Sequence, residues 1–169
     1  MMPLVSASRR EQALRYKHLH GQFCCLKSWL MLRDLLGYNP DEWEYNAHGK
    51  PFLPQGPFFS ISHCKHAIAV AIDEQPIGID VEAIRQADNE LIERTMNSEE
   101  RQQITNARDF TRLWTRKEAV VKAQGTGIVS FEQLQTVLEN EAWQIDTIEK
   151  ENYIYSIAYG KLHCFSAKV

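Results

Sequence analysis

The chain has 169 residues, 44% hydrophobic and 24% charged, with a formal net charge of −3. That balance suits one globular unit and excludes the overall basic field of a nucleic-acid or anionic-membrane binder. No stretch approaches the roughly 18–20 apolar residues of a membrane helix, and MMPLVSASRREQ lacks the layout of a secretory signal; a cytoplasmic protein with no nucleic-acid and no membrane partner is expected.

From Arg9 to Leu36 the chain is rich in Leu, Lys and Arg, and Leu26, Trp29, Leu30, Leu32, Arg33 and Leu36 predict a helix with a broad apolar face, stopped by Gly37 and then Pro40. Residues 48–57, HGKPFLPQGP, hold three prolines and two glycines and read as irregular backbone. FFSISHCKHAIAVAI (58–72) reads as two strands around a turn at Cys64–His66, and PIGIDVE (76–82) as the next strand. Residues 88–107 are helical in pieces, with Asn97 or Ser98 as a cap. The clearest helix is DFTRLWTRKEAVVKAQG (109–125), capped by Asp109, with Phe110, Leu113, Trp114, Lys117 and Val121 at helical spacing and Gly125 at its end. Phe110 and Trp114 are expected in the core, and Lys117 is given no chemistry. From Ser130 the chain alternates as strands do and ends in a hairpin-like YSIAYGKLHCFSA. That segment (155–167) aligns without gaps on 59–71, sharing Ser60/Ser156, Ile61/Ile157, Lys65/Lys161 and Ala71/Ala167, as two similar halves about a pseudo-two-fold would leave behind. The four cysteines, Cys24, Cys25, Cys64 and Cys164, show neither CxxC spacing nor a disulfide framework, and read as reduced, buried small hydrophobes, not as a metal site.

PIGIDVE poses a question, because a strand this apolar carries two carboxylates. Residues i and i+2 of a strand share a face, so Asp80 and Glu82 project together while Ile79 and Val81 point into the core. Two like charges so close raise one pKa unless a cation sits between them. A solvent-facing edge is one reading; a divalent cation is the sharper one. Mg²⁺ takes carboxylates, waters and substrate phosphates as ligands, and Glu118 on the WTRKEA helix offers a third carboxylate. Lys122 lies at i+4 from Glu118, either as a surface salt bridge or reaching a phosphate oxygen.

In their order and spacing, GKPFL (49–53), FSISHC (59–64), IGIDVE (77–82) and FTRLWTRKEAVVKAQGTGI (110–128) resemble the signature blocks of the surfactin-type 4′-phosphopantetheinyl transferases. The resemblance implies an α+β fold of two similar α/β halves related by a pseudo-two-fold, with a ligand cleft between them; the halves divide at 1–75 and 76–169 within one compact unit. It implies transfer of the phosphopantetheine arm of coenzyme A onto a serine of an apo acyl or peptidyl carrier protein, releasing adenosine 3′,5′-bisphosphate. Asp80, Glu82 and Glu118 match the family's Mg²⁺ ligands, with Mn²⁺ as an alternative ion. His63 matches a histidine contacting coenzyme A phosphates, with Ser62 beside it. Lys50 and Pro51 match the segment lining the nucleotide pocket. Lys122 matches the lysine that reaches the phosphates, and Glu100 a glutamate near the entering serine, favoured here as general base over a metal-bound water.

The chain departs from the family on its first helix, where relatives place an arginine for the 3′-phosphate. It has Gln22, Phe23, Cys24, Cys25 and Lys27 there; Arg9, Arg10, Arg15 or Lys17 is the expected substitute, with weaker coenzyme A affinity. Carrier docking is expected near residues 84–107, where Ile84, Leu91, Ile92 and Met96 either offer an apolar patch or pack inward. A monomer suffices. An inactive coenzyme A- or carrier-binding protein and a Mg²⁺-dependent phosphohydrolase are the competing readings.

Overall fold

A computed structural model describes residues 4–41, 43–127, 138, 142–160 and 166–169. The order is α1 (Ala7–Leu14), α2 (Leu19–Leu36), β1 (Glu44–Tyr45), β2 (Pro51–Phe52), β3 (Phe58–His63), β4 (Ile68–Asp73), β5 (Ile77–Ala83), α3 (Asn89–Thr95), α4 (Ser98–Gln102), α5 (Ala107–Gln124), β6 (Gln144–Glu149), β7 (Tyr153–Tyr159) and β8 (Ser166–Lys168). The fold is α+β.

The single long first helix of the sequence reading is two helices. Ser6 caps α1, its hydroxyl accepting from the Arg9 amide, and α2 begins afresh after His18. Gly37 ends α2 in the left-handed region (φ 77°), with its amide donating to the Arg33 carbonyl at 2.8 Å. The proline-rich loop contains a two-residue strand, β2, paired with β1. Asn106, not Asp109, caps α5; Asp109 instead accepts from the Thr105 amide and hydroxyl just outside the helix. Asn97 caps α4 in a reciprocal capping box with Glu100.

Two three-stranded antiparallel sheets, β3-β4-β8 and β5-β7-β6, form the frame. Met31 and Leu32 of α2 pack with Phe59 and Val70 on the first sheet, where Trp43 stacks on Phe59 at 5.4 Å between centroids. α5 covers β5 and β7 of the second with Phe110, Leu113, Ala119, Val120 and Ala123. The opposite face of β5 buries Ile77, Ile79 and Val81 against Ala69, Ala71 and Ile157. Among the described residues β8 pairs with β4 and not with β7, so Ala167 opposes Ala71 across the ladder, and a cut at residue 75 would divide one sheet. Lys161 and Cys164 lie outside the described residues, as does most of the chain between Ser130 and Trp143.

β3 and β5 run side by side without a backbone ladder. The Ile79 amide donates to Ser60 Oγ at 3.0 Å and the Val81 amide to Ser62 Oγ at 3.2 Å, so serine hydroxyls join the sheets.

Candidate active site

Gly78 explains how the helix reaches the carboxylate strand. A Cβ at this position would stand 1.9 Å from the Ala119 carbonyl oxygen and 2.4 Å from the Ala123 nitrogen, so α5 lies on the bare backbone of β5. Asp80 is on the same strand face as Gly78, beneath α5, and is 3% exposed. Of the two readings open from sequence, the solvent-facing edge is thus excluded for Asp80, whose face is covered by the helix.

Lys122, in the last turn of α5, donates to Asp80 Oδ1 at 2.6 Å and to Ser62 Oγ at 2.9 Å. Ser62 in turn donates to Asp80 Oδ1 at 2.8 Å, so its hydroxyl joins β3, β5 and α5 at one point. Asp80 Oδ2 is buried without a hydrogen-bond partner among the described residues. Burial and then the charge of Asp80 push the Glu118 carboxyl up to about 7, against the pull of Lys122. Burial and Asp80 also raise Glu82, partly offset by Arg85, Lys122 and a hydrogen bond with Trp114. The site therefore holds three mutually repelling carboxylates, one resident ammonium and an orphaned oxygen. That donor set fits a hard divalent cation, which Asp80, Glu82 and Glu118 would hold. Their oxygens do not all converge within 4.8 Å; among the described residues, His20, Cys24 and His63 are the group that does.

In the metal-free protein Glu118 binds its proton more tightly folded than unfolded. Its contribution to stability is therefore present at low pH and lost as pH rises through about 7. The melting temperature of wild type relative to Glu118→Gln should fall between pH 5 and 8, and saturating Mg²⁺ should flatten that difference. A difference that rises with pH would refute it.

Asn46 builds the facing wall. Its side chain donates to the Gly125 carbonyl at 2.8 Å and accepts from the His48 and Lys50 amides, clasping the loop to the end of α5. A cavity of about 290 Å³ lies between them, lined by Lys50, Pro51, Ser60, Glu118, Lys122 and Gly125. Lys50 turns its ammonium onto the Ile77 carbonyl at 3.2 Å, and burial brings it down to about 8. His63 stands exposed at the end of β3; partial burial, then His20 and Lys122, lower its pKa and favour the neutral imidazole.

Glu100 is not gathered into this site. It is fully buried, accepts from the Asn97 amide at 2.9 Å and pairs with the buried Lys117 ammonium at 2.9 Å. A carboxylate so enclosed cannot meet an entering serine in this arrangement, and Lys117, given no chemistry from sequence, is its partner. Glu100→Gln should take the counter-charge of Glu100 from that buried ammonium at a cost of about 3 kcal/mol, read by urea unfolding. A stable but inactive Glu100→Gln would restore the base assignment.

Three of the four expected docking residues also turn inward: Met96 is core, and Leu91 and Ile92 pack against it with α5. Arg9 is engaged internally, donating to the Cys25 carbonyl at 3.0 Å and lying 4.1 Å over the Trp43 ring. Trp114 lies in the core as expected, and with Arg85 it also supports Glu82, a role that sequence reading missed. Trp114 lies four residues before Glu118, one helical turn away on the same face, and that spacing was the available signal.

The sequence profile of the 4′-phosphopantetheinyl transferase superfamily matches residues 76–165. The chain is 36% identical over 143 residues to the 4′-phosphopantetheinyl transferase AcpT of Salmonella typhi, covering 72% of each. It is 29% identical over 154 residues to 4′-phosphopantetheinyl transferase gsp of Aneurinibacillus migulanus, covering 79% of this chain and 65% of the relative. With 4′-phosphopantetheinyl transferase Sfp of Bacillus subtilis (strain 168) the identity is 29% over 142 residues, covering 75% and 63%. The chain thus spans less than two thirds of the length of the latter two relatives. No described helix is long and apolar enough to cross a membrane.

Proposed function

Because the chain belongs to the 4′-phosphopantetheinyl transferase superfamily, we propose that it is a surfactin-type member acting on coenzyme A and an apo acyl or peptidyl carrier protein. In this reading the serine oxygen of the carrier attacks the phosphorus attached to the pantetheine arm. A new P–O bond forms, the anhydride bond breaks, and adenosine 3′,5′-bisphosphate leaves. A bound Mg²⁺ or Mn²⁺ would neutralise charge on the pyrophosphate oxygens.

The observation that carries the proposal is the meeting of Asp80, Glu118 and Lys122 where α5 crosses Gly78. Once the carboxylates are neutralised, Lys122 is free to exchange Asp80 for a phosphate oxygen. His63 and Lys50 line the approach, and Pro51 shapes the wall against which the nucleotide end rests. Glu118 lines the cavity beside Lys122 and would hold the metal with Asp80 and Glu82 in this proposal, and a metal-bound water would take the serine proton. Glu100 then positions α4 against α5 through Lys117. The two sheets with their long helices would be the family's two similar halves, and the unit would act as a monomer.

The test is the intact mass of an apo carrier protein after incubation with this protein, coenzyme A and Mg²⁺, with and without EDTA. A metal-dependent gain of one phosphopantetheine arm supports transfer. Coenzyme A binding without gain on several unrelated carriers would mean an inactive binder, and coenzyme A consumption without a carrier would mean a phosphohydrolase.

A further inference from the structure

We propose a separate Zn²⁺ site formed by His20, Cys24 and His63. α2 places His20 and Cys24 at i and i+4, one turn apart on one face. His63 comes from the end of β3, its ring meeting that of His20 edge-on at 6.4 Å between centroids. Cys24 Sγ stands 3.4 Å from His20 Nε2, and one donor atom from each of the three residues lies within 4.8 Å of the others. Ligands on one tetrahedral zinc, with bonds of about 2.0–2.3 Å, stand roughly 3.3–3.8 Å apart. The cluster needs only small rotations to reach that spacing, and both histidines are exposed enough to make them.

Nitrogen and sulfur donors select a borderline ion and reject Mg²⁺, which separates this site from the carboxylates. Three protein ligands leave a fourth position open. His20 also lines a cavity of about 680 Å³ with Cys64, Lys65 and His66, so an entry path exists. Cys24 is buried beside Cys64, and burial pushes its thiol up. On binding, the Cys24 S–H bond breaks, the Zn–S bond forms and the proton passes to solvent; no oxidant is needed. Sequence spacing hid the site because its ligands come from elements 39 residues apart, Cys24 to His63.

The test uses Co²⁺ as a spectroscopic probe on the whole chain. With excess Mg²⁺ present to occupy the carboxylates, wild type should bind one Co²⁺ with a thiolate-to-metal charge-transfer band, and Zn²⁺ should displace it. Cys24→Ala and Cys24→Ser should both abolish the band. His20→Asn should weaken Zn²⁺ by more than the roughly 10–100-fold that loss of an outer-shell partner brings. Cys25→Ala, altering a neighbour that packs with Trp29 and Leu30, should retain it. Absence of the band in wild type, or its survival in either folded Cys24 variant, would overturn the site. Because the readout needs no coenzyme A or carrier, its failure is distinct from failure of the transferase proposal. Where both hold, zinc engages His63 and slows transfer, and a zinc-selective chelator in excess Mg²⁺ restores it.

Discussion

Asp80→Asn is expected to reduce carrier modification by at least about 10²–10³-fold, the loss that follows removal of a key electrostatic group from a reacting site. The same change should leave the metal-free fold as stable as wild type or more so. Asn keeps an oxygen for Lys122 and Ser62, and its amide group replaces the partnerless Oδ2. It also removes the charge that raises both Glu82 and Glu118. Intact-mass assays and thermal melts of the pair would separate these effects. Mg²⁺ should raise the melting temperature of wild type but not of the variant, since a ligand stabilises only the state that binds it. An active Asp80→Asn would remove the carboxylate from the mechanism. A strongly destabilised one would mean that its ion pair with Lys122, at 2.6 Å, dominates its role.

Gly78→Ala should cost more than a methyl at any of Gly21, Gly37, Gly49, Gly56, Gly125 or Gly127. The added carbon would meet backbone atoms of α5 on two sides, at 1.9 and 2.4 Å, and backbone cannot turn aside as a side-chain tip can. The helix must lift from β5, opening the packing of Ala119, Ala123 and Ala158. A loss of about 4–5 kcal/mol is expected, in the exceptional class for point changes. At roughly 2–4 °C per kcal/mol for a chain of this size, the melting temperature should drop by about 8–20 °C. Any folded fraction should also transfer poorly, because Glu118 and Lys122 ride on the lifted helix. A variant melting within a degree or two of wild type would show that α5 does not rest on Gly78.

The strands were legible where period-2 patterns and turn residues agreed, as in β3, β4 and β5. α5 was legible except for its cap, because Asp109 and Asn106 are both good caps and the sequence alone does not rank them. The break between α1 and α2 was hidden because residues 15–18 contain neither glycine nor proline. β8 was misread for a different reason: alternation predicts a strand but not its partner, and its neighbour lies about a hundred residues upstream. Within the site, the shared strand face of Asp80 and Glu82 was legible, but their spacing left a solvent-facing edge and a cation site equally open. The burial of Glu100, expected from the resemblance beside the entering serine, was not legible, since nothing in MNSEER shows that Lys117 lies against it. The role of Gly78 likewise appears only when α5 is laid across it.

The serine seam between β3 and β5 has a kinetic consequence. Amides within a ladder exchange with solvent when strands part, but those of Ile79 and Val81 are guarded by side-chain oxygens of Ser60 and Ser62. A rotation about the two Cα–Cβ bonds would swing the oxygens away and uncover them without unzipping either sheet. Deuterium should therefore enter at Ile79 and Val81 ahead of the interior amides of β7, which pairs with strands on both sides. The strand that carries Asp80 is thus clamped on one edge by a backbone ladder and latched on the other by two hydroxyls.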